Sequence, residues 1–193
     1  MTRRLGQTPS QTLGPFFSMR LGLEGENSLP MPEGSSRIVI TGRVIDGDGD
    51  HVEDALLETW QASPQGRYRH PDDRRGIDLD PAFTGFGRAM TNFETGEYRL
   101  ETFKPGMVPD PEGEAQAPHI AVIIQARGML NPLFTRIYFS DEPDANDHDL
   151  VLRMVPGERR KTLIATANDG SDPIEYQHDF RLKGGDETVF LDF

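Results

Sequence analysis

Short apolar segments, several with alternating apolar and polar positions, recur along the chain from residue 37 onward. Clusters of Gly, Pro, Asp and Asn separate most of them, and this punctuation is typical of strands joined by turns. Many short strands with frequent turn residues predict an all-β fold, either a β-sandwich or a barrel. The segments predicted as strands are RIVITGRVID (37–46), ALLETWQA (55–62), GEYRLETF (96–103), HIAVIIQA (119–126), TRIYFSD (135–141), KTLIATA (161–167), YQHDFRL (176–182) and TVFLDF (188–193).

Two regions depart from this strand pattern. Residues 141–155, DEPDANDHDLVLRMV, are the best candidate for a short helix, with Pro143 in its first turn. Residues 1–36 show little periodicity and contain the turn-rich stretch TPSQTLGPFF, so we predict an N-terminal arm that precedes a domain over 37–193. Phe16 and Phe17 must pack on something, and at this stage either the chain's own domain or a partner could cover them.

Composition and charge exclude several functions. The net charge of −12, with no basic stripe, argues against a nucleic-acid partner. The chain has no cysteine, which excludes disulfides and thiolate metal sites within it. We find neither a signal peptide nor a run of about 20 apolar residues that could cross a membrane, so we expect a cytoplasmic protein.

Few residues are candidates for chemistry, and none of the common nucleotide, hydrolase or zinc motifs occurs. One strand raises a specific question, because His119 and Ala121 lie two residues apart and therefore face the same side of it. His119 could be half of a metal site, a remnant of one, or an ordinary strand histidine.

The order and spacing of several motifs resemble the intradiol ring-cleavage dioxygenase family over nearly the whole chain. Thr59 departs from the family signature, which usually has a hydrophobic residue there. The resemblance implies a β-sandwich core with an extended N-terminal arm and short helical or irregular insertions. The motifs are TPSQTLGPFF (8–17), ITGRV (40–44) with Gly49 and Val52, LETW (57–60), GRY (66–68), FKPGMVP (103–109), APHIAV (117–122), RIYF (136–139) and ETVFLDF (187–193).

The resemblance also identifies where iron ligands would stand. Iron-bearing chains of the family hold a non-haem Fe(III) with two tyrosines and two histidines, and the matching positions here are Tyr68, Val108, His119 and Ala121. Valine and alanine carry no donor atom, and Gln116 stands where those chains have an arginine. We therefore expect no metal in this chain, and we interpret His119 as a remnant of a metal site.

Some members of the family are built from two homologous chains, and the match here is to the alpha-type chain. The resemblance implies that Fe(III) is held by a homologous beta chain, in a higher-order alpha–beta oligomer on which the arm packs. The TLGP turn would line the substrate cavity with Gly14 and Pro15, and Thr12 would lie nearby. Arg127 would attract or orient an anionic substrate, with Arg136 as the second choice.

The function implied by the resemblance is oxygen-dependent cleavage of the aromatic acid protocatechuate, performed by the assembled complex and not by this chain alone. In that complex this chain would supply cavity walls and an assembly interface, and no catalytic residue. Two alternatives remain open at this stage. The chain could be a β-sandwich binding module without substrate contact, or a self-sufficient dioxygenase with substituted ligands.

Overall fold

A computed structural model describes residues 8–109, 113–168 and 170–192. The strands are β1 (Arg37–Ile45), β2 (Leu56–Gln61), β3 (Phe86–Met90), β4 (Glu97–Phe103), β5 (Val108–Pro109), β6 (Ala115–Gln116), β7 (His119–Gln125), β8 (Leu133–Phe139), β9 (Ile164–Asn168), β10 (Ile174–Gln177) and β11 (Phe180–Arg181). The helices are α1 (Phe16–Leu21), α2 (Pro143–His148), α3 (Leu150–Met154), α4 (Gly157–Arg160) and a 3₁₀ helix (Lys161–Leu163). None of these helices has both the length and the apolar character that crossing a bilayer requires.

The strands form two layers that one strand joins. In the first layer β4, β1, β10 and β9 are neighbours, and in the second β3, β2, β7 and β8 are neighbours. Strand β9 belongs to both, because Ile164 and Ala165 pair in parallel with β8 while residues 166–168 pair antiparallel with β10. The chain of paired strands thus passes from the first layer to the second at β9.

One hydrophobic core fills the space between the two layers. Ile40 and Leu100 from the first layer pack in the same buried cluster as Leu57, Val122 and Ile137 from the second. Burial of each such side chain stabilises the folded state by roughly 1.5–3 kcal/mol. Inner faces that share one core define a β-sandwich, so the predicted all-β fold class is confirmed.

Alternation along β7 explains which residues face this core. Ile120, Val122 and Ile124 are buried in the core cluster, whereas Ala121 and Ile123, one position out of phase, remain partly accessible on the outer face. His119 and Ala121 therefore share the outer face of β7, as the two-residue period predicts.

Several predicted boundaries need correction. The strand predicted over 161–167 begins at Ile164, because the 3₁₀ helix occupies the first three residues. The predicted strand 188–193 is not a strand over its described part, 188–192, where isolated hydrogen bonds such as that from Leu191 N to the Phe134 carbonyl (2.8 Å) replace a ladder. Strand β3 was not predicted. The predicted helix over 141–155 is two helices that divide at Asp149.

The N-terminal segment contacts the sandwich at one end and is exposed at the other. Backbone hydrogen bonds join Glu26 O to Arg88 N (2.9 Å) and Asn27 O to Glu101 N (2.7 Å), and Leu29 is buried in the core. Phe16, in α1, is 73% exposed. The first seven residues of the predicted arm lie outside the described part, and its packing on a partner chain stays a prediction.

Candidate functional site

Two loops with close backbone contacts bring Tyr68 toward Val108. Gly66 has a positive φ of 78°, and a Cβ there would collide with the Met107 carbonyl oxygen. Gly106 N donates to Ser63 O (2.9 Å), and a Cβ on Gly106 would also meet backbone atoms of the 64–66 loop. Glycine is thus required at both positions, which explains why the GRY and KPG motifs occur together in the sequence.

Tyr68 and His119 form a hydrogen-bonded pair. His119 Nδ1 lies 2.8 Å from the Ala117 carbonyl oxygen, which can only accept, so Nδ1 carries the ring proton. Nε2 is then free to accept, and the Tyr68 hydroxyl lies 3.3 Å from it. The Tyr68 ring stacks on Trp60 with 5° between the planes. At both remnant ligand positions, the side-chain atoms that could bind a metal are therefore hydrogen-bonded to other groups of the protein.

Burial keeps both members of this pair uncharged. Burial, helped by the positive charge of Arg136, lowers the pKa of His119 to about 4. Burial also raises the pKa of the Tyr68 phenol, against the opposing effect of Arg136 and Arg75. At neutral pH the pair is a neutral imidazole and a neutral phenol, whereas a ferric site needs phenolate oxygen.

Arg136 connects the two positions that lack a ligand atom. It is the direct cross-strand neighbour of Ala121 in the β7–β8 pair. Its Nη1 donates to Gln116 Oε1 (2.9 Å), and Gln116 is in turn the cross-strand neighbour of Val108 in the β5–β6 pair. Arg136 thus lies next to Ala121 and is linked to the neighbourhood of Val108 through Gln116.

A buried carboxylate supports this arginine from a distance. Arg136 Nη1 also donates to the Tyr138 hydroxyl oxygen (3.2 Å), and Tyr138 donates to Asp149 Oδ1 (3.0 Å). Asp149 is fully buried and accepts from the backbone N–H groups of Ala117 and Leu152 as well. Among the described residues no carboxylate pairs directly with Arg136.

The residues at these four positions do not fit a ferric ion. Two of them supply no donor atom, the other two are hydrogen-bonded to each other, and a guanidinium lies alongside. The described ranges also contain no cluster of three or more His, Asp or Glu side chains arranged to hold a metal. In addition, Tyr68 and Val108 line a pocket of about 570 Å³, whereas Ala121 and Arg136 line another of about 230 Å³.

The residues predicted to bind substrate gather at the other end of β7. Leu13 N donates to Met129 O (3.4 Å), which places the TLGP turn beside the turn that carries Arg127. The seven residues of β7 separate this edge from His119 by about 20 Å at ~3.3 Å per residue. Thr12, Gly14 and Pro15 are exposed at this edge. The structure therefore brings the predicted substrate residues together but apart from the remnant metal positions.

Arg127 makes an ion pair within its own chain. Its Nε lies 3.2 Å from Asp54 Oδ2, and the Arg127 side chain remains 55% exposed while that of Asp54 is 5% exposed. A half-exposed guanidinium can contact a second anion while Asp54 holds it in place. Of the two candidate cations, Arg127 is beside the TLGP turn and Arg136 is beside the remnant positions.

Sequence reasoning missed the structural partners of these residues. Asp149 stands before the apolar run LVL, a spacing typical of an N-cap, and its carboxylate does accept from Leu152 N. That signal predicts a helix start at Asp149 but not the contacts with Ala117 and Tyr138. No sequence signal indicated the Gln116–Arg136 bond, because it depends on how β6 and β8 are placed.

Comparisons with known proteins agree with the resemblance. A sequence profile of the family described as "Dioxygenase" matches residues 14–184. The chain is 40% identical over 201 residues to the protocatechuate 3,4-dioxygenase alpha chain of Pseudomonas putida, covering 98% of each chain. It is 37% identical over 186 residues to the beta chain of that enzyme from Burkholderia cepacia, covering 93% of this chain and 77% of the other.

Solved structures show the same fold. An intradiol ring-cleavage dioxygenase from Tetranychus urticae superimposes with a TM-score of 0.58 at 20% identity, covering 91% of this chain and 93% of the other. A 3-chlorocatechol 1,2-dioxygenase from Rhodococcus opacus 1CP gives a TM-score of 0.62 at 21% identity, over 82% and 64% of the two chains. At these identities the likeness concerns the fold alone.

Proposed function

Since this chain belongs to the intradiol dioxygenase family, we propose that it is the alpha subunit of a protocatechuate 3,4-dioxygenase. The observation that carries the proposal is the 40% identity to an alpha chain over 98% of both sequences. The assembled enzyme cleaves protocatechuate with O2 between the two hydroxyl-bearing ring carbons and gives 3-carboxy-cis,cis-muconate. This chain is not active alone.

The family generally uses iron, and we assign that iron to a partner chain. The donor set at Tyr68, Val108, His119 and Ala121 does not fit a ferric ion, so the metal and its chemistry come from elsewhere. Relatives that occur as separate alpha and beta chains indicate an alpha–beta hetero-oligomer. A homologous beta chain with all four ligands is the source of Fe(III) in this proposal.

This chain contributes one wall of the substrate cavity. Gly14 has no side chain and lies beside open space, so a substrate can contact its backbone directly, and Pro15 stiffens the turn. Arg127 supplies the cation that an aromatic carboxylate requires in a subunit of net charge −12. The bond between Leu13 and Met129 keeps the turn and the cation on one edge.

The experiment that tests this function is reconstitution. The full chain and a homologous chain with Tyr, Tyr, His and His at the ligand positions should be expressed separately and together. We expect co-elution on size exclusion, about one iron per alpha–beta pair, and oxygen consumption on protocatechuate only by the mixture.

Two results would contradict the proposal. The first is a partner chain that is equally active with and without this chain. The second is a mixture in which the two chains do not associate, which would favour a binding module of unrelated role. Iron should be measured in every fraction, so that a poorly loaded partner is recognised before activities are compared.

A further inference from the structure

A guanidinium lies beside the remnant metal positions. Arg136 is the direct neighbour of Ala121, and its hydrogen bond to Gln116 links it to the strand position beside Val108. The remaining two positions lie on the same side of the sheet, since His119 shares the outer face of β7 with Ala121 and Tyr68 is hydrogen-bonded to His119. Its location is thus defined by strand register and by hydrogen bonds.

Within residues 8–109, 113–168 and 170–192, the positive charge of Arg136 is held in place by hydrogen bonds and is not neutralised by direct contact with a carboxylate. The hydrogen-bond acceptors of its Nη1 are the amide oxygen of Gln116 and the hydroxyl oxygen of Tyr138, both uncharged. Asp149 reaches it only through the Tyr138 hydroxyl, and the carboxylate also serves Ala117 N and Leu152 N. Glu58 shares a pocket with Arg136, but its carboxylate pairs with Arg88 (2.6 Å).

We infer that Arg136 excludes metal cations from this site independently of the missing ligands. Its partly buried charge repels a trivalent ion with little solvent screening. Restoring donor atoms at Val108 and Ala121 would therefore leave the site unable to hold iron while the guanidinium remains. This inference concerns the chain's own residues and holds whether or not the chain works as a subunit.

Ferric binding to a series of full-length variants tests the inference. The starting background is Val108→Tyr with Ala121→His, which provides two tyrosines and two histidines. Adding Arg136→Gln removes the charge but keeps a hydrogen-bonding side chain, and adding Arg136→Lys keeps the charge but changes its shape. Adding Arg43→Gln is the matched control, because it removes one arginine charge from an exposed ion pair on β1.

Each protein is incubated with ferric citrate, desalted, and measured for bound iron and for the visible absorption of phenolate bound to Fe(III). We expect stoichiometric iron and the absorption band only with Arg136→Gln, with affinity at least about 100-fold above the background protein. The Arg136→Lys and Arg43→Gln proteins should resemble the background.

The inference is overturned if the background binds iron as well as the Arg136→Gln protein, or if Arg136→Lys binds equally well. It is also overturned if the folded Arg136→Gln protein binds no iron. Thermal unfolding establishes that each variant is folded. Should Arg136→Gln fail to fold in this background, Arg136→Met provides a second neutral replacement with the same expected outcome.

Discussion

The hydroxyl oxygen of Tyr68 lies 3.3 Å from Nε2 of His119, so the two side chains satisfy each other. In a metal site both atoms would instead point at the ion. The histidine is oriented by the Ala117 carbonyl oxygen, and the tyrosine by stacking on Trp60. The remnant of the site is therefore a stable hydrogen-bonded pair that belongs to the packing of the domain.

The first prediction concerns metal in the wild-type chain. Purified alone, it should retain no stoichiometric iron after exposure to a ferric salt and should lack the red colour of an iron–phenolate protein. The reason is that Val108 and Ala121 supply no donor atom, and that Tyr68 and His119 are already bonded to each other. Stoichiometric iron that is lost on Tyr68→Phe would contradict this.

The second prediction concerns acid stability. Burial lowers the pKa of His178 to about 4 from its usual 6.5, and His119 behaves in the same way. Between pH 6.5 and about pH 4, each of these histidines binds a proton in the unfolded chain but not in the folded chain. The free energy of unfolding therefore falls as the pH falls through this range. From pH 7 to pH 5 each histidine should account for a loss of about 2 kcal/mol.

Urea unfolding at both pH values measures this loss. The variant His178→Gln should lose about 2 kcal/mol less than wild type on going from pH 7 to pH 5. His148 is exposed, and His148→Gln serves as the matched substitution control. An identical loss in wild type and His178→Gln would show that His178 is not kept neutral by burial.

The sequence predicted the elements whose pattern is local. Strand β7 followed from its β-branched run, and its two-residue alternation correctly placed His119 and Ala121 on one face. The segment 188–193 has a similar composition but lies where only isolated backbone partners, such as Phe134 O, are available. A hydrophobic pattern states which residues prefer burial and does not provide a neighbouring strand.

In the candidate site, too, local motifs were predictable from the sequence and contacts between distant segments were not. The TLGP and ARG motifs indicated Gly14, Pro15 and Arg127, but their meeting depends on the contact between Leu13 and Met129, which are 116 positions apart. Likewise, the sequence indicates Arg136 only as a second-choice cation for the substrate. Its place beside Ala121 follows from the register of β7 and β8, which motif order alone does not reveal.

The third prediction concerns the attachment of the N-terminal segment. Arg88 donates to the Leu21 carbonyl oxygen at the end of α1 and pairs with Glu26 and Glu58, while its side chain is only 17% exposed. Arg88→Gln should lower the free energy of unfolding by about 1.5–3 kcal/mol, since charged hydrogen bonds are lost at a partly buried site.

Arg43→Gln is a matched control, because both side chains of the Arg43–Glu97 pair are about half exposed. Removing that pair should lower the free energy of unfolding by less than about 1 kcal/mol. Limited proteolysis should also cut residues 8–25 faster in Arg88→Gln than in Arg43→Gln. Equal stability and equal cleavage rates in the two variants would show that Arg88 does not anchor the segment.

The fourth prediction concerns assembly. Deletion of residues 1–17 removes the exposed Phe16 and the TLGP turn but retains Leu29 and the contacts of residues 26–29. The truncated chain should keep its circular dichroism spectrum and a cooperative thermal transition, yet fail to co-elute with the beta chain. A truncated chain that assembles normally would show that the segment serves only its own domain.

The last prediction concerns Arg127. Its guanidinium is half exposed beside the TLGP turn, and protocatechuate is an anion at neutral pH. A charge-assisted contact is worth about 1.5–3 kcal/mol, so Arg127→Gln in the complex should lower kcat/KM for protocatechuate about 10- to 150-fold. Iron content should not change, and activity on unsubstituted catechol should fall much less because that substrate has no carboxylate.

The ion pair with Asp54 allows a structural role to be separated from a substrate role. Asp54→Asn removes the carboxylate partner and leaves the cation at the same edge. If Arg127 acts on the substrate, Asp54→Asn should retain most of the preference for protocatechuate over catechol, whereas Arg127→Gln should lose it. Equal losses on both substrates in both variants, with a matching fall in thermal stability, would mean that the pair only supports the turn. The substrate-facing cation would then have to be sought on the beta chain.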